Sequence, residues 1–312
     1  MRACFGPMEG VTTVQFRRVH ASMFPGADRY YMPFISPTSD HRFTPRELRE
    51  VGPENNAGIS VVPQILTKSA EDFLWAADGL ARMGYREVDL NLGCPSATVT
   101  AKGKGAGLLR TPDALDRMLD TIFSRAEVAV SVKTRIGYSD PAEWEALLGI
   151  YGRYPIAELI VHCRTRQEMY AGSAHREAFS RAREALSCPL CYNGNLFTPE
   201  DVLAFETVEP DTHSVMLGRG AACDPALFRR LRGGGAASRE ELRAFHRTLS
   251  EAYRSEYGRL NAMRRMKELW NYLLSRFGET GEVRKTMMRT KDTDVFDDCV
   301  ERIFGECPLI DE

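Results

Sequence analysis

Asp89-Leu90-Asn91-Leu92-Gly93-Cys94-Pro95-Ser96 sets a short apolar run against a turn that cannot continue it. Residues 87–91 follow a helix-like stretch at 70–83, and Gly93 and Pro95 stop them, so they read as a strand. Cys94 is therefore expected exposed at a strand's C-terminal end. A thiol with an ordinary pKa of about 8.5 is mostly protonated at neutral pH, so it suits proton donation and, once ionised, nucleophilic attack. A small buried core cysteine is the remaining alternative. The Gly-Cys-Pro turn argues against it.

Seven more strand candidates surround this one, at 3–8, 30–34, 59–65, 129–133, 158–161, 189–193 and 214–217, with helical stretches between them. Ser69, Thr111-Pro112 and Thr198-Pro199 open three of those helices with capping residues or a first-turn proline. Eight such units in about 230 residues predict a (β/α)8 barrel. A doubly wound sheet normally carries G-x-G-x-x-G after its first strand, and here Gly6-Pro7-Met8-Glu9-Gly10 stands instead. Gly233-Gly234-Gly235-Ala236-Ala237 is a linker, and helices at 238–257 and 260–277 follow it with no strand pattern. The expected organisation is a catalytic barrel over 1–232 and a small all-helical domain over 233–312.

With 43% hydrophobic and 27% charged residues among 312, the chain is neither disordered nor fibrous. No apolar run approaches the roughly 18 residues that span a bilayer, and the first seven residues lack signal-peptide character, so a cytoplasmic protein is expected. The eight cysteines are scattered. Cys188 and Cys191 form a lone C-x-x-C, read as core packing with no metal expected. Residues 229–291 hold sixteen Lys or Arg against seven Asp or Glu, and the last 21 residues hold eight acids and one Arg. Such a basic segment is either a solvated helical face or a footprint for a polyanion.

Barrel active sites lie at the C-terminal ends of the strands. Those ends here are Pro7-Met8-Glu9, Gln64, Asn91 with Cys94, Lys133 with Arg135, His162 with Arg164, Asn193-Gly194-Asn195 and Gly218-Arg219-Gly220. Amide, cation, imidazole and thiol groups around one axis read as a catalytic mouth. The glycines after the last two strands, with Arg219, suit a phosphorylated cofactor. Gln64 and Lys133 suit a flavin ring that gains negative charge on reduction. Gly103-Lys104-Gly105-Ala106-Gly107 lacks the Gly-Lys-Ser/Thr of a nucleotide loop and is expected to be a flexible loop beside Cys94.

Gly6-Pro7-Met8-Glu9-Gly10-Val11-Thr12, Asp89-x-Asn91-x-Gly93-Cys94-Pro95-Ser96, Val132-Lys133-x-Arg135-x-Gly137, Val161-His162-x-Arg164-Thr165, Asn193-Gly194 and Gly218-Arg219-Gly220 resemble, in order and spacing, the tRNA-dihydrouridine synthases. Arg265-Met266-Lys267-Glu268-Leu269-Trp270-Asn271-Tyr272 extends the resemblance into the helical region. The resemblance implies an FMN enzyme that reduces the C5–C6 bond of uridines in tRNA with NADPH as electron source. Hydride from reduced FMN would reach C6, and the Cys94 thiol would protonate C5. Pro7, Met8, Glu9, Gln64, Lys133, His162, Asn193, Gly194, Asn195, Gly218 and Arg219 would hold FMN, and Asn91, Arg164 and Tyr170 the uracil. It also implies that the basic helical domain grips the tRNA backbone, that the uridine is extruded from its stack, and that the protein is a monomer. A barrel acting on a free pyrimidine or another small enone, and a non-catalytic RNA binder, are the competing readings. The first needs no basic appendage, and the second needs neither Cys94 nor Lys133.

Overall fold

The computed structural model describes residues 1–310. Its strands are β1 (Arg2–Phe5), β2 (Arg29–Tyr31), β3 (Val61–Val62), β4 (Gln64–Ile65), β5 (Glu87–Leu92), β6 (Ala129–Gly137), β7 (Leu159–Thr165), β8 (Leu190–Asn193) and β9 (Ser214–Leu217). All neighbours pair in parallel, in the order β3-β2-β1-β9-β8-β7-β6-β5-β4. The two ends of that order are separated only by Pro63, which lacks an N–H, and its carbonyl still accepts from Asp89 N at 2.8 Å. β3 and β4 therefore act as one strand, and the sheet closes into the expected eight-stranded barrel.

Compactness divides the chain into two units. The first comprises Met1–Pro7, Asp28–Leu196 and Asp201–Leu217, and the second Met8–Ala27, Phe197–Glu200 and the chain from Gly218 onward.

In the first unit the barrel is filled rather than hollow. Cys4, Tyr31, Val62, Ile160, Cys191 and Met216 form one buried cluster. Of the lone C-x-x-C read as core packing, Cys191 packs in the core and Cys188 is half-buried. Below that cluster Glu158 accepts from Tyr31 Oη at 2.9 Å, Ser214 Oγ at 2.6 Å and Arg2 Nη2 at 3.0 Å, which satisfies a buried carboxylate with three donors. The outer helices cover the strands by apolar stripes. Helix Pro112–Arg125 starts at the expected proline and buries Leu115, Met118, Leu119 and Ile122, spaced as one helical face. Leu119→Ala would cost about 2–5 kcal/mol by cavity formation.

In the second unit, helix Val14–Met23 packs on helix Arg239–Leu273 through Phe16 against Phe245 and a 2.7 Å bond between Thr13 Oγ1 and Tyr253 Oη. The long helix breaks at Gly258 (φ 74°, ψ 165°), a conformation that favours glycine, so it is the two helices read from the sequence. Its start is the capping box of Ser238 with Glu241. The acidic end folds back as helix Thr293–Glu306, and Asp297 and Asp294 pair with Arg254 and Arg259 at 2.6 and 2.5 Å. Part of the positive excess is thereby neutralised inside the unit. Arg247, Arg284, Arg289 and Lys291 are exposed and have no ion-pair partner among the described residues.

Candidate active site at the strand ends

The Asp89–Ser96 stretch ends β5 and turns as predicted, with Cys94 half-buried rather than fully exposed. Asn91 Oδ1 accepts from the backbone N–H of Gly93 at 3.1 Å and of Cys94 at 2.9 Å, so one side chain pins the turn. Asn91 Nδ2 donates to Gln64 Oε1 at 2.7 Å, and Gln64 Nε2 donates to Asp89 Oδ2 at 2.7 Å. Asp89 is fully buried, and burial pushes its carboxyl up to about 7 despite bonds from Gln64 and Ser131 and the nearby charge of Lys133.

Gly105 lies on the other side of the thiol. A Cβ there would come within 3.0 Å of Cys94 Cβ and O, and Ala106 N donates to Cys94 O at 3.1 Å. Of the segment expected as a flexible loop, Gly103 and Lys104 stay outside regular structure, and Gly105 to Gly107 open a 3-10 helix, Gly105–Arg110, whose first five residues are buried. Glycine serves close approach to the cysteine turn, at φ +56°, and not mobility.

Lys133, the register partner of Asn91, donates to Asn193 Oδ1 at 2.9 Å, and Asn193 Nδ2 donates to Met216 O at 2.8 Å. Burial, reinforced by the charge of Arg135, lowers the Lys133 ammonium to about 8. No carboxylate pairs with it among the described residues, so two of its three donors are left for another acceptor. A flavin fits such a donor set: a desolvated cation and an amide beside a ring that gains negative charge.

β6 and β7 run further than expected, to Gly137 and Thr165, carrying Arg135 and Arg164 inside. Both guanidiniums are buried and hold backbone. Arg135 donates to the carbonyls of Gly93 (2.9 Å), Thr165 (2.8 Å) and Met169 (2.8 Å). Arg164 donates to Ala171 O at 3.0 Å and Gly172 O at 2.5 Å. Tyr170 is half exposed, with Arg135 Cζ 5.5 Å from its ring centroid and the His162 ring 5.8 Å away. The structure therefore places Asn91, Gln64 and Asn193 at or near the carboxyl ends of their strands, Cys94 and Tyr170 in the segments that follow, and Lys133 and His162 in mid-strand, all in one unit. Pro7 follows β1, and Gly194 and Asn195 follow β8, where Leu196 N donates to Gly194 O at 3.0 Å. Met8, Glu9, Gly218 and Arg219 belong to the second unit. There Thr12 Oγ1 accepts from Met8 N at 2.8 Å, and the Arg219 guanidinium lies 5.3 Å from the Phe197 ring centroid.

Asp89 and Arg135 were quoted in the sequence motifs without a role. The signal for Asp89 was its spacing, since residues two apart on a strand face the same side and Asp89 shares that side with Asn91.

A closed parallel barrel with amide, ammonium, imidazole and thiol groups at its carboxyl end defines the class of flavin-dependent barrel oxidoreductases. The family model described as Dihydrouridine synthase (Dus) matches residues 4–306, and the chain belongs to that family. Among its relatives, a protein of Ralstonia nicotianae named tRNA-dihydrouridine(16) synthase is 34% identical over 74% of this chain and 73% of its own length. One of the same name from Cupriavidus necator is 29% identical over 94% of each. A Bacillus subtilis protein named probable tRNA-dihydrouridine synthase 2 is 28% identical over 92% of this chain and 89% of its own. Among solved structures, a morphinone reductase shares the fold with a TM-score of 0.55 at 13% identity, covering 76% of this chain and 87% of that one.

Proposed function

We propose that the protein reduces selected uridines of tRNA to 5,6-dihydrouridine, with FMN as resident cofactor and NADPH as reductant. The observation that carries this reading is Lys133: a half-buried ammonium with donors to spare, in the same ring of strand ends as a thiol and a tyrosine. When bound, FMN supplies the hydride that C6 receives. Lys133, Gln64, His162 and Asn193 bind and orient its ring, Pro7, Met8, Glu9, Gly194 and Asn195 complete its contacts, and Gly218 and Arg219 serve its phosphate.

Cys94 holds the proton at Sγ that C5 needs. The turn carrying it is fixed by Asn91 from one side and by the Gly105–Arg110 helix from the other. Asn91 and Tyr170 contact the uracil. Arg164 acts on the uracil through the Ala171 and Gly172 carbonyls it holds, which set the loop bearing Tyr170.

The uridine must leave its stack to reach this ring. The exposed cations of residues 233–312 are assigned to the tRNA phosphates, the barrel of 1–232 to the chemistry. A free pyrimidine would leave those cations without a task. The protein is proposed to work as a cytoplasmic monomer, and no helix among the described residues is long and apolar enough to cross a membrane.

The test is nucleoside analysis of tRNA from a deletion strain, beginning at position 16 because two relatives carry that number in their names. Loss of dihydrouridine at one or more positions is expected, together with flavin absorbance in the purified protein. Unchanged dihydrouridine at every position in a strain lacking sister enzymes sinks the reading.

A further inference from the structure

Gly93 and Cys94 each turn a backbone N–H toward the Asn91 side chain. A backbone N–H only donates, so the atom it meets is the amide oxygen, and Asn91 Nδ2 must point away. Nδ2 reaches Gln64, which therefore presents Oε1 to it and Nε2 to Asp89. Each amide fixes the next, and the group at the far end has to be an acceptor.

We propose that Asp89 is a positioning residue: by accepting from Gln64 it sets the polarity of the Gln64–Asn91 relay and so holds the Gly93–Cys94 turn. Its bearing on catalysis rests on Cys94 being the proton donor proposed above.

The surroundings fit this role. Asp89 Oδ1 accepts from Ser131 Oγ at 3.0 Å, and that hydroxyl also lies 3.4 Å from Val88 O. Lys133 favours the charged carboxylate, Glu87 opposes it, and Tyr31 feels its charge. If Asp89 is protonated on Oδ1 toward Ser131, Oδ2 still offers Gln64 a lone pair. An amide at position 89 can do the same, its nitrogen donating to Ser131. Burying a carboxyl is costly unless its bonds are made, and here those bonds order the cysteine turn.

The relay can be reversed on paper, which gives the test. In Asn91→Asp one carboxylate oxygen still accepts from the turn, but the other demands a donor. Where Asp89 is charged, above about 7, Gln64 must then reverse and set its oxygen against the Asp89 carboxylate. Adding Asp89→Asn supplies a donor at the far end, and the reversed relay is satisfied throughout. The charge then sits at position 91, whose register partner is Lys133.

The measurement is iodoacetamide alkylation of Cys94 in the purified holoprotein at one fixed pH well above the Asp89 value of about 7, followed by peptide mass analysis, with the thermal midpoint taken in parallel. Asn91→Asp is expected to speed alkylation roughly tenfold and to lower the midpoint. Asp89→Asn alone and the double variant should each lie within about twofold of wild type. If Asn91→Asp does not fold, recovery of a folded double variant reads the same rescue. Asn91→Asp no faster than wild type, or a double variant no better than Asn91→Asp, overturns the proposal. Dihydrouridine formation by the wild-type protein is assayed separately: its absence would overturn the proposed function and leave the rescue pattern standing.

Discussion

Lys133 Nζ donates to Asn193 Oδ1 at 2.9 Å, joining β6 to β8 past the intervening β7. The bond aims the ammonium within the strand-end ring and leaves two of its protons for a bound group. Lys133→Met keeps most of the stem and removes the charge. The expected result is lower FMN occupancy in the visible spectrum and anaerobic flavin reduction slower by about 10². Because the cation exists below about 8 and is lost above it, turnover in the wild type should fall as pH rises through that value.

Asp89 gives a second pH dependence, in stability. Its folded pKa is raised from 3.8 to about 7, so between those values the folded state binds more protons than the unfolded one. The protonated form favours folding, and stability from this group falls as pH rises through that window, by at most about 4 kcal/mol. Denaturant titrations at several pH values should show Asp89→Asn flatter than wild type between pH 4 and 7. Parallel curves would mean that Asp89 titrates normally.

Arg135 ties the cysteine turn to the Thr165–Met169 segment by three carbonyls. Arg135→Leu should cost about 3 kcal/mol in chemical denaturation and expose the Tyr170 loop to limited proteolysis. Arg135→Lys should recover only part, since an ammonium lacks the planar fork that reaches three acceptors. A loop as resistant as wild type in Arg135→Leu would show that the guanidinium is not what holds it.

Cys94→Ala should retain FMN and lose turnover by about 10²–10⁴, the range for one general acid. Single-turnover oxidation of the reduced holoenzyme by tRNA is the measurement. Activity within twofold of wild type would assign the proton to another group.

Most of the barrel was legible because β-branched and leucine runs closed by Gly, Pro or polar residues carry their own boundaries. Buried charge left no such mark in the sequence. Arg135 and Arg164 look like residues leaving a strand for solvent, yet both lie inside, Arg135 held by carbonyls distant in sequence and Arg164 by those of Ala171 and Gly172 in the segment after its own strand. Gly103 to Gly107 failed for the opposite reason: glycine signals freedom locally, and only the fold shows that Gly105 is there to let a helix press on Cys94. The acidic end carried no reading of its own in the sequence, and the structure gives it one: Asp294 and Asp297 pair with Arg259 and Arg254.

The carboxylate of Glu158, gripped by Tyr31, Ser214 and Arg2, together with the apolar plug above it, gives the barrel a sealed base. That end of the barrel is closed by packed side chains among the described residues, so the strand ends opposite are the approach to the ring. Under the proposed reaction, nicotinamide and uridine both need the flavin, and neither can arrive from below.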